Sequence, residues 1–178
     1  MLELVIGGAR SGKSTYAEQC AKTYTERSTN INSDVLYVAT ATADDAEMVI
    51  RIEHHKQSRP ESWKTIEEPI KLAALLDKYD MPARFIIVDC LTLWLTNLFM
   101  LDVKQKQTEI ESLLALLPRL DSSVIFVTNE IGMGVVPLGE ETRRFVDEAG
   151  RLHQKIASHC HRVTQMVAGI PNTVKDIS

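Results

Sequence analysis

The run Gly7-Gly8-Ala9-Arg10-Ser11-Gly12-Lys13-Ser14 fits the pattern G-x-x-x-x-G-K-[ST] without a mismatch. The chemistry requires these residue types. Glycines let the backbone curl so that successive N–H groups face one anion, and the helix that follows turns its positive end toward the same point. Lys13 supplies a compact charge for the outer phosphates of a nucleotide, and the Ser14 hydroxyl is placed to ligate Mg²⁺. Asp89 closes the apolar run FIIVD, where a second carboxylate helps to hold the same metal. The competing reading of Asp89 is an ordinary polar strand terminus.

Three other groups of residues carry chemistry. Glu53-His54-His55-Lys56 places two imidazoles side by side at the expected end of a helix. Adjacent helical residues point about 100° apart, so the pair does not easily share one metal. A neutral imidazole is a good nucleophile toward phosphorus, although a surface pair is also an ordinary feature. Thr128-Asn129-Glu130-Ile131-Gly132-Met133-Gly134 follows an apolar run, as a ligand loop does at the carboxyl end of a strand in an α/β sheet. Arg143, Arg144 and Arg151 lie just beyond it. They either meet anionic groups or form a solvated helix face with Glu140, Glu141, Asp147 and Glu148. His153, His159 and His161 match no usual zinc spacing, even with Cys160 between the last two, and read as a solvated helix end.

The elements that must position these groups alternate. Short β-branched or apolar runs predict strands at Leu2 to Ile6, Val35 to Thr40, Phe85 to Val88, Val124 to Thr128 and Val163 to Val167, with a short one at Trp63 to Ile66. Helices are expected from Lys13 to about Thr25, from Asp44 and Asp45 to about Lys56, and from Pro69 to about Tyr79. Further helices are expected at Leu91 to Met100, Thr108 to Leu117 and Glu140 to about His159. The last residues form a tail or an edge strand. Alternating strands and helices imply a mostly parallel sheet covered on both faces.

The chain has 178 residues, enough for one core, and shows no repeat, linker or boundary, so a single domain spanning 1–178 is expected. The net charge of −4 argues against a general nucleic-acid binder. The three cysteines are widely spaced and odd in number, which suits a reducing compartment rather than a disulfide framework. No leader is visible, and the apolar run from Leu91 to Leu101 is far short of the roughly 20 residues that cross a bilayer. The expectation is a cytoplasmic protein with no transmembrane segment.

Six segments in order and spacing resemble one family. They are GGARSGKS at 7–14, VLYVAT at 35–40, RIEHHKQSRPESW at 51–63, FIIVDCLTLWLTNL at 85–98, FVTNEIGMGVVP at 126–137 and RRFVDEAGRLHQKIA at 143–157. Together they look like the bifunctional adenosylcobinamide kinase / adenosylcobinamide-phosphate guanylyltransferase of cobalamin biosynthesis, across almost the whole chain. The phosphate loop is generic, whereas the double histidine and the TNE-x-G-x-G-x-V-P loop are specific.

That resemblance implies a P-loop NTPase fold with a recombinase-like core and assembly as a homotrimer. It implies phosphorylation of the aminopropanol hydroxyl of adenosylcobinamide by ATP or GTP. GMP transfer from GTP through a guanylylated histidine follows, giving adenosylcobinamide-GDP and pyrophosphate. The first histidine of the pair, His54, matches the guanylylated residue. Nucleotide contacts map onto residues 7–14, Ala39, Thr40 and Ala41, and the stretch His55, Lys56, Gln57 and Ser58, with Glu67 and Asp89 at two acidic positions nearby. Asp89 stands where relatives often have Glu, and His153 where Asn is usual. The segment Gly169-Ile170-Pro171-Asn172-Thr173 departs from a glycine- and valine-rich ending. Two other readings of the residues stay open: a small-molecule kinase without nucleotidyl transfer, which gives His54 no role, and a nucleotide-gated switch protein.

Overall fold

A computed structural model describes residues 1–27, 34–41, 60 and 62–177. Seven strands form one sheet: β1 Leu2–Gly7, β2 Asp34–Ala39, β3 Lys64–Glu67, β4 Arg84–Asp89, β5 Ser123–Asn129, β6 Arg162–Val167 and β7 Ile170–Asp176. Their spatial order is β3-β2-β4-β5-β1-β6-β7. All pairings are parallel except β6 with β7. The described helices are α1 Lys13–Arg27, α2 Leu72–Tyr79, α3 Leu91–Phe99, α4 Val103–Leu116 and α5 Glu140–His159. This is the expected mostly parallel α/β sheet flanked by helices.

The strand alternation separates two cores. On β4, Phe85 and Ile87 join Val5, Tyr37, Ile125 and Val127 on the face covered by Ala17 and Ala21 of α1. Ile86 and Val88 join Leu4, Leu36, Val38, Val124 and Phe126 on the face covered by α2 to α5, through residues such as Leu76, Trp94, Leu113 and Ile156. Strands buried on both faces read as continuous apolar runs, which is why four of them were plain in the sequence. Trp94 is fully buried and donates its indole N–H to the Ile70 carbonyl at 2.9 Å.

Two helix starts differ from the expectation. The helix expected at Pro69 begins at Leu72. The Glu68 carboxylate accepts from the Ile70 and Lys71 N–H groups and forms a turn first. The helix expected at Thr108 begins at Val103. Asp102 caps it by accepting from the Gln105 N–H at 2.8 Å, a device worth about 1 kcal/mol and enough to extend a polar first turn. In that added turn Lys106 is buried and pairs with both oxygens of Glu148 on α5, so a charged residue fastens two helices. The chain end is an edge strand, reached through a two-residue turn with Ala168 and Gly169 both at positive φ, as a tight hairpin requires. The helix expected from Asp44 and Asp45 lies outside the described residues.

Candidate active site

Parallel pairing brings the carboxyl ends of five strands to one edge. Gly7 lies opposite Asn129, and Asp89 opposite both Val127 and Ala39, with Ala39 also opposite Glu67. Crevices at such edges take ligands. β1 ends in the phosphate loop. A Cβ at Gly7 would sit 2.5 Å from the Met166 carbonyl oxygen on the neighbouring strand, so only glycine fits there. Gly12 has φ +93°, and the Gly169 N–H donates to the Ser11 carbonyl at 3.0 Å, so the β6–β7 turn braces the loop. Gly8, Ala9 and Arg10 are exposed along its rim.

Lys13 is only 7% exposed, and its ammonium donates to the Gly8 carbonyl at 2.6 Å. Burial lowers its pKa, and the nearby Asp89 carboxylate opposes that shift. The charge is therefore held inside the loop, in a partly dehydrated setting where it acts more strongly on a phosphate. The Ser11 hydroxyl is buried with no hydrogen-bond partner among the described residues. A buried unmatched hydroxyl costs about 1–3 kcal/mol, so the loop suits a ligand with oxygens to share.

The Ser14 hydroxyl donates to Asp89 Oδ2 at 2.7 Å, joining β4 to the first turn of α1. The Tyr37 hydroxyl donates to the same oxygen at 2.6 Å. A hydroxyl and a carboxylate meeting beside a buried ammonium are the hard oxygen donors that a Mg²⁺–phosphate group takes. Thr40 is fully buried, and its hydroxyl donates to the Cys90 carbonyl at 2.7 Å and accepts from the Cys90 N–H at 2.8 Å. Asn97 of α3 donates to the Thr40 carbonyl at 2.8 Å, fixing the turn after β2 that leads to Ala41. Glu67 ends the outer strand β3, exposed and two strands away from Asp89. His54, His55, Lys56, Gln57 and Ser58 lie outside the described residues.

The end of β5 completes the edge. The Glu130 N–H donates to the Gly7 carbonyl at 3.0 Å, and the Glu130 carboxylate accepts from the Gly132 and Met133 N–H groups. Arg143 donates to the carbonyls of Pro137 and Leu138, so it holds this loop, while Arg144 stands 4.0 Å from Glu148 along the helix and Arg151 is exposed. One late histidine departs from the expected solvated helix end. His153 is half-buried and meets the Thr128 hydroxyl at 2.8 Å. The Nδ1 of His161 accepts from the Leu2 N–H. His159 in the last turn of α5 and His161 just beyond it are both exposed.

Tyr37, Thr92 and Asn97 were not singled out from the sequence, and Gly169 entered only as part of a departing segment and not as a brace for the phosphate loop. For Tyr37 a signal existed, since a tyrosine inside a buried strand must find a partner for its hydroxyl. His153 follows Leu152 and lies four residues after Ala149, which places it at the margin of the buried stripe of α5 rather than in solvent.

The chain matches the family model described as cobinamide kinase / cobinamide phosphate guanyltransferase over residues 3–174. It is 51% identical over 176 residues to the bifunctional adenosylcobalamin biosynthesis protein CobP of Pseudomonas aeruginosa, covering 98% of each chain. It is 38% identical to the bifunctional adenosylcobalamin biosynthesis protein CobU of Escherichia coli, covering 98% of this chain and 100% of that one. The protein of the same name from Salmonella typhimurium is 37% identical over the same shares.

Proposed function

The chain belongs to the cobinamide kinase / cobinamide phosphate guanyltransferase family, and from that premise we propose how one nucleotide site serves both of its reactions. In the first, the aminopropanol hydroxyl of adenosylcobinamide attacks the γ-phosphorus of ATP or GTP, loses its proton, and the nucleoside diphosphate leaves. In the second, a ring nitrogen of His54 attacks the α-phosphorus of GTP and the bond to pyrophosphate breaks. A phosphate oxygen of adenosylcobinamide phosphate then attacks the same phosphorus. The P–N bond breaks, the imidazole is regenerated, and adenosylcobinamide-GDP forms. Two displacements through a covalent phosphoramidate replace one harder step.

The observation that carries this reading is the meeting of Ser14 and Asp89 at 2.7 Å beside buried Lys13. Ser14 and Asp89 would hold Mg²⁺, which supplies charge neutralisation of the phosphates. The loop from Gly7 to Ser14 grips the phosphates. Ala39, Thr40 and Ala41 at the end of β2, together with residues 55–58 and Glu67, border the rest of the nucleotide. Incubation with GTP and adenosylcobinamide should yield adenosylcobinamide-GDP and pyrophosphate. Phosphorylation without GMP transfer would favour the simple kinase, and slow hydrolysis without an acceptor product the switch protein.

The metal reading has its own test. Excess chelator should stop both reactions, and added Mg²⁺ should restore them. Full activity in chelator would contradict the roles given to Ser14 and Asp89.

We read residues 1–178 as one domain working in the cytoplasm and assembling as a homotrimer. No described helix is long and apolar enough to cross a membrane, and the three cysteines are unbridged. Val135 and Leu138 after β5 are 96% and 99% exposed, and Ile170 and Val174 on β7 are also exposed. Such apolar exposure favours a partner. Sedimentation equilibrium should return three times the 20.0 kDa chain mass. A monomer at enzyme concentrations that support full activity would contradict the trimer.

A further inference from the structure

A chain of polar contacts joins the middle of α5 to the end of β5. His153 Nε2 meets Thr128 Oγ1 at 2.8 Å, Thr128 Oγ1 meets Thr92 Oγ1 at 3.2 Å, and Thr92 Oγ1 accepts from the Asn129 N–H at 2.8 Å. Proton counting gives the chain a direction. Each threonine hydroxyl has one hydrogen to donate. With a lone pair on His153 Nε2, the donors run in one line: the Asn129 N–H to Thr92, Thr92 to Thr128, and Thr128 to His153. With a hydrogen on Nε2, the Thr128 oxygen must accept it, and whichever way the two hydroxyls turn, one threonine hydrogen loses its place in the chain. Thr128 is fully buried, so a mismatch there is not repaired by bulk water.

The residues at the far end of this chain sit beside the phosphate loop. Asn129 lies opposite Gly7 in the sheet, and the Glu130 N–H holds the Gly7 carbonyl. β5 runs between β1, which ends in the phosphate loop, and β4, which ends in Asp89. We propose that His153 is a positioning residue for the kinase step: through Thr128 and Thr92, its unprotonated Nε2 fixes Asn129 and Glu130 against the phosphate loop. The inference rests on the phosphoryl-transfer reading of this site.

A pH dependence follows. Burial lowers the His153 pKa, and the Glu130 carboxylate opposes this. From the other elements, α3 presents the uncharged Thr92, and Lys106 of α4 is tied to Glu148. On α5 itself the residues one turn away are Ala149, Gly150, Ile156 and Ala157, none ionisable. The imidazole is therefore neutral near neutral pH. Acid protonates it, leaves one buried hydroxyl hydrogen without a partner and so weakens the chain that holds the β5 end.

The test is the pH profile of adenosylcobinamide phosphorylation for wild type, His153→Gln, His153→Leu and Thr128→Val. Gln reaches the Nε2 position with an acceptor that does not titrate. Wild type should lose kcat on the acid side below the ordinary histidine range. His153→Gln should keep most of the neutral-pH kcat and lose that acid limb. His153→Leu and Thr128→Val should lower kcat about 10-fold or more with KM little changed, since small misplacement near the reacting atoms is costly. If His153→Leu does not fold, Thr128→Val carries the same expectation. Wild-type kcat in Thr128→Val, or an unchanged acid limb in His153→Gln, would overturn the inference. Absence of kinase activity in the wild type would instead overturn the reading beneath it.

Discussion

Replacing Lys13 with alanine is expected to lower both phosphorylation and GMP transfer by about 10²–10³, because one preorganised charge acts on the phosphates in both reactions. Lys13 is nearly fully buried, with its ammonium held at the Gly8 carbonyl. It needs no large rearrangement to meet a phosphate, and little water screens it there. Arginine should not rescue the variant. The guanidinium is a planar fork rather than a compact charge, and the loop is closed around the lysine stem. The measurement is kcat/KM for each reaction with purified Lys13→Ala and Lys13→Arg. Wild-type rates in either reaction would remove the phosphate loop from that reaction.

The second large effect separates the two reactions. His54→Ala is expected to reduce GMP transfer by on the order of 10⁴ or more, the range seen when a covalent nucleophile is removed. Phosphorylation of adenosylcobinamide should survive, because that step forms no bond to the enzyme. His55→Ala should retain GMP transfer, since the family resemblance matches the guanylylated residue to His54 and not to its neighbour. The measurement follows adenosylcobinamide phosphate and adenosylcobinamide-GDP separately for each variant. Loss of GMP transfer in His55→Ala alone would move the nucleophile to the neighbour. Equal loss of both reactions in His54→Ala would make the histidine structural.

What the sequence revealed was what is written locally. The phosphate loop is eight consecutive residues, and each buried parallel strand is one short apolar run, so both can be read without knowing the fold. Asp89 was visible because it ends such a run. The partners of these groups were not legible, because they arise from pairing across the sheet. Tyr37 and Ser14 reach Asp89 from positions 52 and 75 residues away, and Thr128 reaches His153 across 25. A histidine beside a polar helix face looks solvated until the helix is docked and its hydroxyl partner is in place. Helix starts failed for a local reason. Asp102 is a good cap, but the lysines and glutamines after it hide the amphipathic pattern until Ile110. Pro69 suggested a helix start, but Glu68 uses its carboxylate to hold a turn there.

The guanylyl-histidine is best tested by transfer of label from α-labelled GTP to the wild-type protein in the absence of corrinoid. A covalent adduct that is labile in acid and stable in base, as a histidine phosphoramidate is, should form with release of pyrophosphate. Adding adenosylcobinamide phosphate should then move the label into adenosylcobinamide-GDP without further GTP. A protein that makes adenosylcobinamide-GDP yet never carries the label, or whose adduct survives acid, would contradict the guanylyl-histidine intermediate.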